Sequence, residues 1–197
     1  DMLGTRGLPN RYGGSETCIE EVGTRLTGEG TVVRVFCRRR VTESSAPEYR
    51  GMPLVYLPSV PVQVVETLSH SLLALLWLAW RRRRSGDGPQ VAHFHGSGNG
   101  AVLPLARLLR IPTVVTVDGP DWARAKWGPV ARRLLKFAAR MSARLADVVV
   151  ADSREAKRIY EVEFGVSPRF IPYGAPVAKP AAPDAEALQR FGLEPHG

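Results

Sequence analysis

Short apolar runs and longer amphipathic runs alternate along this chain. The short runs fall at 2–3, 32–37, 54–57, 91–94, 113–117, 147–151 and 169–171. They are rich in β-branched residues and lack clean polar alternation, as in TVVTV at 113–117, which predicts strands of a parallel sheet covered on both faces. Helical patterns occupy 16–28, 64–82, 100–110, 127–145 and 153–164. Strand–helix alternation of this kind predicts right-handed crossovers and an α/β, Rossmann-like, doubly wound parallel sheet. In the first helix Cys18, Ile19, Val22 and Leu26 share a face, Ser15 is the expected N-cap, and Gly28 and Gly30 end the run. In the fourth, Val130, Leu134, Phe137, Ala138, Met141 and Leu145 form an apolar stripe, the expected inner face. The stretch APVAKPAAP at 175–183 reads as a stiff linker, and 184–191 as the start of another element. The expected organisation is a domain over 1–174, with 175–197 leading toward a second domain.

Composition narrows this picture without redirecting it. A chain of 197 residues with 44% hydrophobic and 23% charged residues can bury one α/β core. Cys18 and Cys37 have neither CxxC nor metal-type spacing, which suits small buried thiols in a reduced, cytoplasmic setting. The longest apolar run, 72–80, is less than half the roughly twenty residues a membrane span needs. The net charge of +8 points either to an anionic partner (phosphorylated substrate, lipid surface or nucleic acid) or to nothing more than an Arg- and Ala-rich composition. Two segments concentrate it. SLLALLWLAWRRRR at 71–84 suits either an interfacial helix on an anionic leaflet or a buried helix ending in a charged loop. Within 132–144, Arg132, Lys136, Arg140 and Arg144 recur every fourth residue, opposite the apolar stripe. No nucleic-acid-reading module accompanies the charge, so nucleic acid is not an expected partner.

The chemistry-bearing clusters all follow predicted strands: 4–14, 95–100, 118–127, 152–153 and 173–174. That places them on the carboxyl edge of the sheet, where open α/β sheets bind ligands. GTRGLPNRYGGSET at 4–17 is a glycine-rich turn into a helix, suited to close backbone approach and to phosphate at the helix N-terminus, with Arg6 and Arg11 adding cations. Its spacing is neither GxGxxG nor a P-loop. Asp118 is either a hydrogen-bonding or basic group in the cleft or a turn residue before Gly119. Trp122, Arg124, Lys126 and Trp127 combine ring faces for sugars with cations for phosphate, against the plainer expectation that at least one Trp is packed on the sheet. His93 and His95 share a strand face but lack the further ligands a metal needs, so no metal is expected; His95 is a candidate cleft contact, and His70 reads as a packed histidine.

GTRGLPNRYGGSET, ETLSHSLL at 66–73, VDGPDWARAKW at 117–127 and IPYG at 171–174 together resemble glycosyltransferase family 4, more narrowly its bacterial rhamnosyltransferase-like group. The resemblance implies the N-terminal, acceptor-side half of a GT-B enzyme that retains anomeric configuration and uses a nucleoside-diphosphate sugar as co-substrate, without metal or other cofactor. It makes rhamnose a candidate sugar and a lipid-linked saccharide or polysaccharide the candidate acceptor, at the cytoplasmic face of a bacterial membrane. Carried onto this chain, Gly13, Gly14 and Arg6 would meet the donor phosphates. Glu16, Thr17, His95, Trp122, Arg124, Lys126 and Trp127 would contact the acceptor, and Asp118 stands where many members have histidine. The segment alone is expected to be inactive. The competing reading from another class is a non-catalytic basic domain that binds anionic membrane or nucleic acid.

Overall fold

The computed structural model describes residues 1–10, 13–42, 44–86 and 91–174, together with Arg190 and Gly192. The linker expected at 175–183, most of the element expected at 184–191, and the cation expected at Arg11 lie outside the described residues. Eight described strands form one sheet: β1 (Met2–Leu3), β2 (Val35–Arg38), β3 (Glu48–Tyr49), β4 (Met52–Leu57), β5 (Ala92–His95), β6 (Thr113–Val117), β7 (Val148–Ala151) and β8 (Arg169–Phe170). Five α-helices connect them: α1 (Gly14–Gly28), α2 (Gln63–Ser85), α3 (Leu103–Leu108), α4 (Pro129–Leu145) and α5 (Arg154–Phe164), with 3-10 turns at Ser97–Val102 and Asp121–Ala123.

The sheet order is β3-β4-β2-β1-β5-β6-β7-β8. Every pairing is parallel except β3 with β4. The chain winds outward from β1 through β2 to β4, then from β5 to β8 in the other direction. Strand order therefore reverses between β1 and β5, which makes the gap above their carboxyl ends the topological switch point.

Right-handed crossovers dictate which face each helix covers. Winding from β1 to β2 puts α1 on one face, where Ile19 packs with Met2, Val35, Cys37, Met52 and Leu54. Winding in the opposite direction puts the other helices on the second face. There Ala74, Leu75 and Leu78 of α2, Leu103 of α3, Ala139 and Ala143 of α4, and Tyr160 of α5 pack with Leu3, Phe36, Phe94, Val115 and Ala151.

Four local expectations need correction. The first helix begins at Gly14, with Gly13 rather than Ser15 as its N-cap and, among the described residues, no side chain capping it. Its inner face buries Ile19 and Gly23 and leaves Val22 exposed, because Met52 Sδ lies where a side chain at position 23 would go. The β3 strand was not expected. Arg50 and Gly51 both take positive φ (49° and 78°), the signature of a two-residue hairpin turn that folds Tyr49 back onto Met52.

The apolar stripe of α4 divides: Val130, Leu134 and Phe137 are exposed, whereas Ala138 is buried and Leu145 packs against the core, and the closest inward contacts are made by Ala138, Ala139, Ser142 and Ala143. The cause is close approach: Gly100 sits against the Ala138 carbonyl and Ser142, and Ser142 Oγ donates to the Ser97 carbonyl at 3.0 Å. Large side chains would not fit there. Gly100→Ala is therefore expected to cost about 3 kcal/mol in urea unfolding, through overpacking against backbone. Gly98→Ala, whose added methyl meets only Leu135 Cδ2 at 3.9 Å, is expected to cost less than about 1 kcal/mol.

Candidate functional site

The switch point is held by one buried amide. Asn99 Nδ2 donates to the carbonyls of His95 (2.8 Å) and Gly96 (2.9 Å), and its Oδ1 accepts from Ser71 Oγ of α2 (2.6 Å). Gly4, at φ 86°, leaves β1 directly beside it, and a Cβ there would collide with the His95 carbonyl and Asn99 Nδ2. The loops after β1 and β5 thus diverge from a fixed, fully buried base.

Glu16 ties the glycine loop to α1. Its Oε1 accepts from the Arg6 backbone N–H (3.1 Å) and from Thr5 Oγ1 (3.3 Å), and its Oε2 accepts from Ser15 Oγ (3.0 Å). Glu16 is buried and engaged within the loop, so its carboxylate is first a scaffold for the backbone around it. Gly13, at φ 127°, has no room for a Cβ beside that carboxylate. Thr17 has a comparable role: Oγ1 donates to the Gly13 carbonyl (3.1 Å) and accepts from Asn10 Nδ2 (2.6 Å). Among the described residues no side chain caps the N-terminus of α1, so this scaffold presents a helix-dipole positive end and the first helical N–H groups at the exposed Gly14. Arg6 is exposed on the same loop.

The opposite side of the switch point is acidic. The register Val117↔Ala151 sets Asp118 beside Asp152 at the ends of β6 and β7. Burial pushes the Asp118 carboxyl up to about 6, with Asp152, Asp121 and Glu16 adding to the rise and Arg124 opposing it. Its Oδ1 is buried without a hydrogen-bond partner among the described residues. Tyr173 closes this corner. Its phenol is pushed well above its ordinary range by burial first, then by Asp118, Cys18, Asp152 and Glu16, and its hydroxyl is likewise unpartnered. Beside them lies an open depression of about 310 Å³ lined by Gly119, Pro120, Ala123 and Arg124.

The remaining sequence candidates divide. Trp122 is buried, with edge contacts to Phe164 (5.5 Å) and Tyr160 (6.3 Å), so it is core rather than a sugar platform. Trp127 is half-buried, with Lys126 Nζ 4.7 Å from its ring centroid. Arg124 is exposed and paired with Asp121 at 2.9 Å. His95 is buried and stacked on His93 at 4.3 Å. Burial and then the neighbouring His93 hold it well below the usual imidazole range, so it is neutral. His70 is fully buried and pushed down to about 4, chiefly by burial. Among the described residues no three His, Cys, Asp or Glu gather as a metal set.

Two participants carried no assigned role in the sequence reading. Asp152 was visible only as a strand-end residue and Tyr173 as that and as part of the IPYG motif; aligning the ends of neighbouring strands would have paired Asp152 with Asp118. Arg38 was missed altogether. It ends β2 buried, bound to Glu66 Oε2 (3.2 Å) and Thr67 Oγ1 (3.0 Å), because a basic residue inside a strand gives no periodic signal.

Fold and edge together define a Rossmann-like domain with a polar ligand edge at its switch point. The model of glycosyltransferase family 4 matches residues 12–179, and the chain belongs to that family. Among solved structures, the UGT2 of Phytolacca americana aligns without ligand at 13% identity and a TM-score of 0.60, over 98% of this chain and 54% of that one. The same protein complexed with UDP-2-fluoro-glucose and pterostilbene aligns at 13% identity and a TM-score of 0.62, over 98% of this chain and 56% of that one. A sucrose-phosphate synthase structure from Thermosynechococcus elongatus aligns at 19% identity and a TM-score of 0.54, over 88% of this chain and 90% of that one. These likenesses show the fold, the Rossmann-like domain of GT-B glycosyltransferases. The chain spans about half the length of the Phytolacca protein. No match to a curated protein was found.

Asp118→Asn is expected to stabilise the fold at pH 7 by up to about 3 kcal/mol, since a raised native pKa penalises the charged carboxylate in the folded state alone. The sign follows from the raised value. The gain is full above about pH 6 and vanishes below the ordinary carboxylate value of 3.8. Urea melts of both proteins at pH 7.5 and pH 3.5 check it, and an equal difference at the two pH values would refute the burial of charge at this position.

Proposed function

We propose that this chain is the acceptor-side half of a retaining glycosyltransferase that moves a sugar from a nucleoside-diphosphate sugar to a lipid-linked or polysaccharide acceptor. The observation that carries the proposal is the pairing, across one switch point, of the α1 N-terminus, which no described side chain caps, with the Asp118–Asp152–Tyr173 corner. In this reading the N–H groups at Gly13 and Gly14, with Arg6, face the donor diphosphate and stabilise its departing charge. Asp118, ionised above about pH 6, accepts a hydrogen bond from the acceptor hydroxyl and orients it. The bond from the anomeric carbon to the phosphate oxygen breaks and a bond to the acceptor oxygen forms on the same face. The hydroxyl proton passes to the leaving phosphate, and nucleoside diphosphate is released. No metal or further cofactor enters this scheme.

The binding of UDP-2-fluoro-glucose by the structurally similar Phytolacca protein supports the donor class. The motif likeness at 4–17 and 117–127 supports rhamnose as the sugar and a cytoplasmic, membrane-peripheral site of action. Lys126 and Trp127 are the residues we assign to the acceptor, with Arg124 at the mouth of the depression. Glu16 and Thr17 act by holding the loop.

The test is turnover of the full-length enzyme with labelled nucleoside-diphosphate sugars. Asp118→Asn is expected to lower kcat by about a hundredfold. It should also remove the limb of the pH profile that falls below about pH 6 in the parent enzyme. In the 197-residue segment, which by itself should transfer nothing, a nucleoside-diphosphate sugar should shift the amide signals of Gly13, Glu16 and Trp127. Binding that leaves all three signals unmoved would overturn the proposed site.

A further inference from the structure

The outer face of the helical layer carries an arrangement that sugar transfer does not use. On α4, Val130, Leu134 and Phe137 are 69%, 53% and 55% exposed, spaced by four and three residues along one stripe. Arg133, Arg140 and Arg144 run along one side of that stripe and have no acidic partner among the described residues. Lys136, farther round, is paired with Glu163 of α5 at 2.6 Å. The α2 helix repeats the pattern. Leu72, Leu76 and Trp80 are exposed along one stripe that runs on into Arg83, and the Arg84 guanidinium lies 5.5 Å from the Trp80 ring centroid.

Both helices pack inward on the same face of the sheet, so their outward stripes are turned to the same side of the molecule. The charge carried by α2, α3 and α4 is almost wholly of one sign, the other helical acids on this face belonging to α5. Glu66 is the single acid within α2, α3 and α4, and Arg38 already occupies it at 3.2 Å.

Three occupants could meet cations, and the apolar residues decide among them. Nucleic acid offers phosphates but nothing in which Leu134, Phe137, Leu76 and Trp80 could leave water. A second copy of the chain would bring the same arginines face to face. A bilayer containing anionic lipid offers phosphates and hydrocarbon at adjacent depths, the two media this surface separates. We infer that the outward stripes of α2 and α4 dock on an anionic lipid bilayer, with the apolar side chains at the acyl boundary and the arginines among the headgroup phosphates. The helices lie in the interface and do not cross it: among the described residues none is long and apolar enough to span a membrane. Docking itself is independent of the transfer reading. Its consequence, that the Asp118 edge is held beside a lipid-linked acceptor, rests on that reading.

The experiment is co-sedimentation of the full-length protein with phosphatidylcholine vesicles, with and without phosphatidylglycerol, in the absence of any sugar nucleotide. Association is expected with the anionic vesicles and to weaken several-fold as salt rises. Arg140→Gln should weaken it about fivefold, and the pair Leu134→Ser and Phe137→Ser by tenfold or more. All three positions are exposed, so an unchanged far-UV melting curve should accompany these losses. Brominated lipid should quench fluorescence in the parent protein more than in Trp80→Phe. Failure to bind anionic vesicles, binding indifferent to Leu134→Ser and Phe137→Ser, tighter binding to an oligonucleotide than to vesicles, or a dimer that hides Phe137 would each overturn the inference. A protein that docks but transfers no sugar would refute the transfer reading alone.

Discussion

Everything on the ligand edge depends on the buried hydrogen bonds of Asn99. At the switch point two parallel strands send their chains off in opposite directions, and nothing in the sheet ladder itself holds the diverging loops together. A side-chain amide with two donors can bind two carbonyls at once, and Asn99 spends them on His95 and Gly96 while Ser71 of α2 satisfies its oxygen. Because Asn99 and Ser71 are fully buried, each of these bonds is costly to lose. Gly4 completes the arrangement by leaving no side chain between β1 and that amide. The α1 N-terminus, Glu16 and the Asp118 corner are positioned relative to this base.

Most of the sheet was legible because parallel core strands are continuous and apolar, and runs such as 113–117 coincide with β6 to the residue. The parts that were not legible share a cause, namely packing by small residues. Hydrophobic periodicity finds the apolar stripe of α4 and assigns all of it inward, which holds for Ala138 and Leu145 but not for Val130, Leu134 and Phe137. The sheet instead receives Ala139 and Ala143, while Ala138 and Ser142 close on Gly100. Alanine and serine contribute little to an apolar stripe, so close helix contact is nearly silent in sequence. The same contact frees Leu134 and Phe137 to face outward. Misreading the direction of one stripe and missing the surface it creates are a single error.

Legibility at the site followed a similar division. Backbone-driven features, the glycine loop and the strand-end positions, were readable because glycine and strand termini carry geometric meaning on their own. Side-chain roles were not, since they depend on which loops the topology brings together. Glu16, an acceptor contact by resemblance, braces its own loop in the structure; of the two readings open for Trp122, sugar platform or packed ring, the structure shows the packed ring. Asp152 became significant only once the β6–β7 register placed it next to Asp118.

The finished edge is electrostatically divided in a way that bears on what it can hold. Near β2, burial lowers the pKa of Arg38, with Arg6 adding like charge even as Glu66 opposes the fall. Near β6 and β7, burial and neighbouring carboxylates raise that of Asp118. Each half is thus less favourable in its charged form than it would be in water, and each would be relieved by a different kind of group. An anion set against the α1 N-terminus and the β2 side lowers the cost of the cations, while hydroxyl donors against Asp118 solvate its carboxylate. A ligand with a phosphate at one end and sugar hydroxyls at the other suits both halves at once, whereas a purely anionic or purely neutral ligand suits only one.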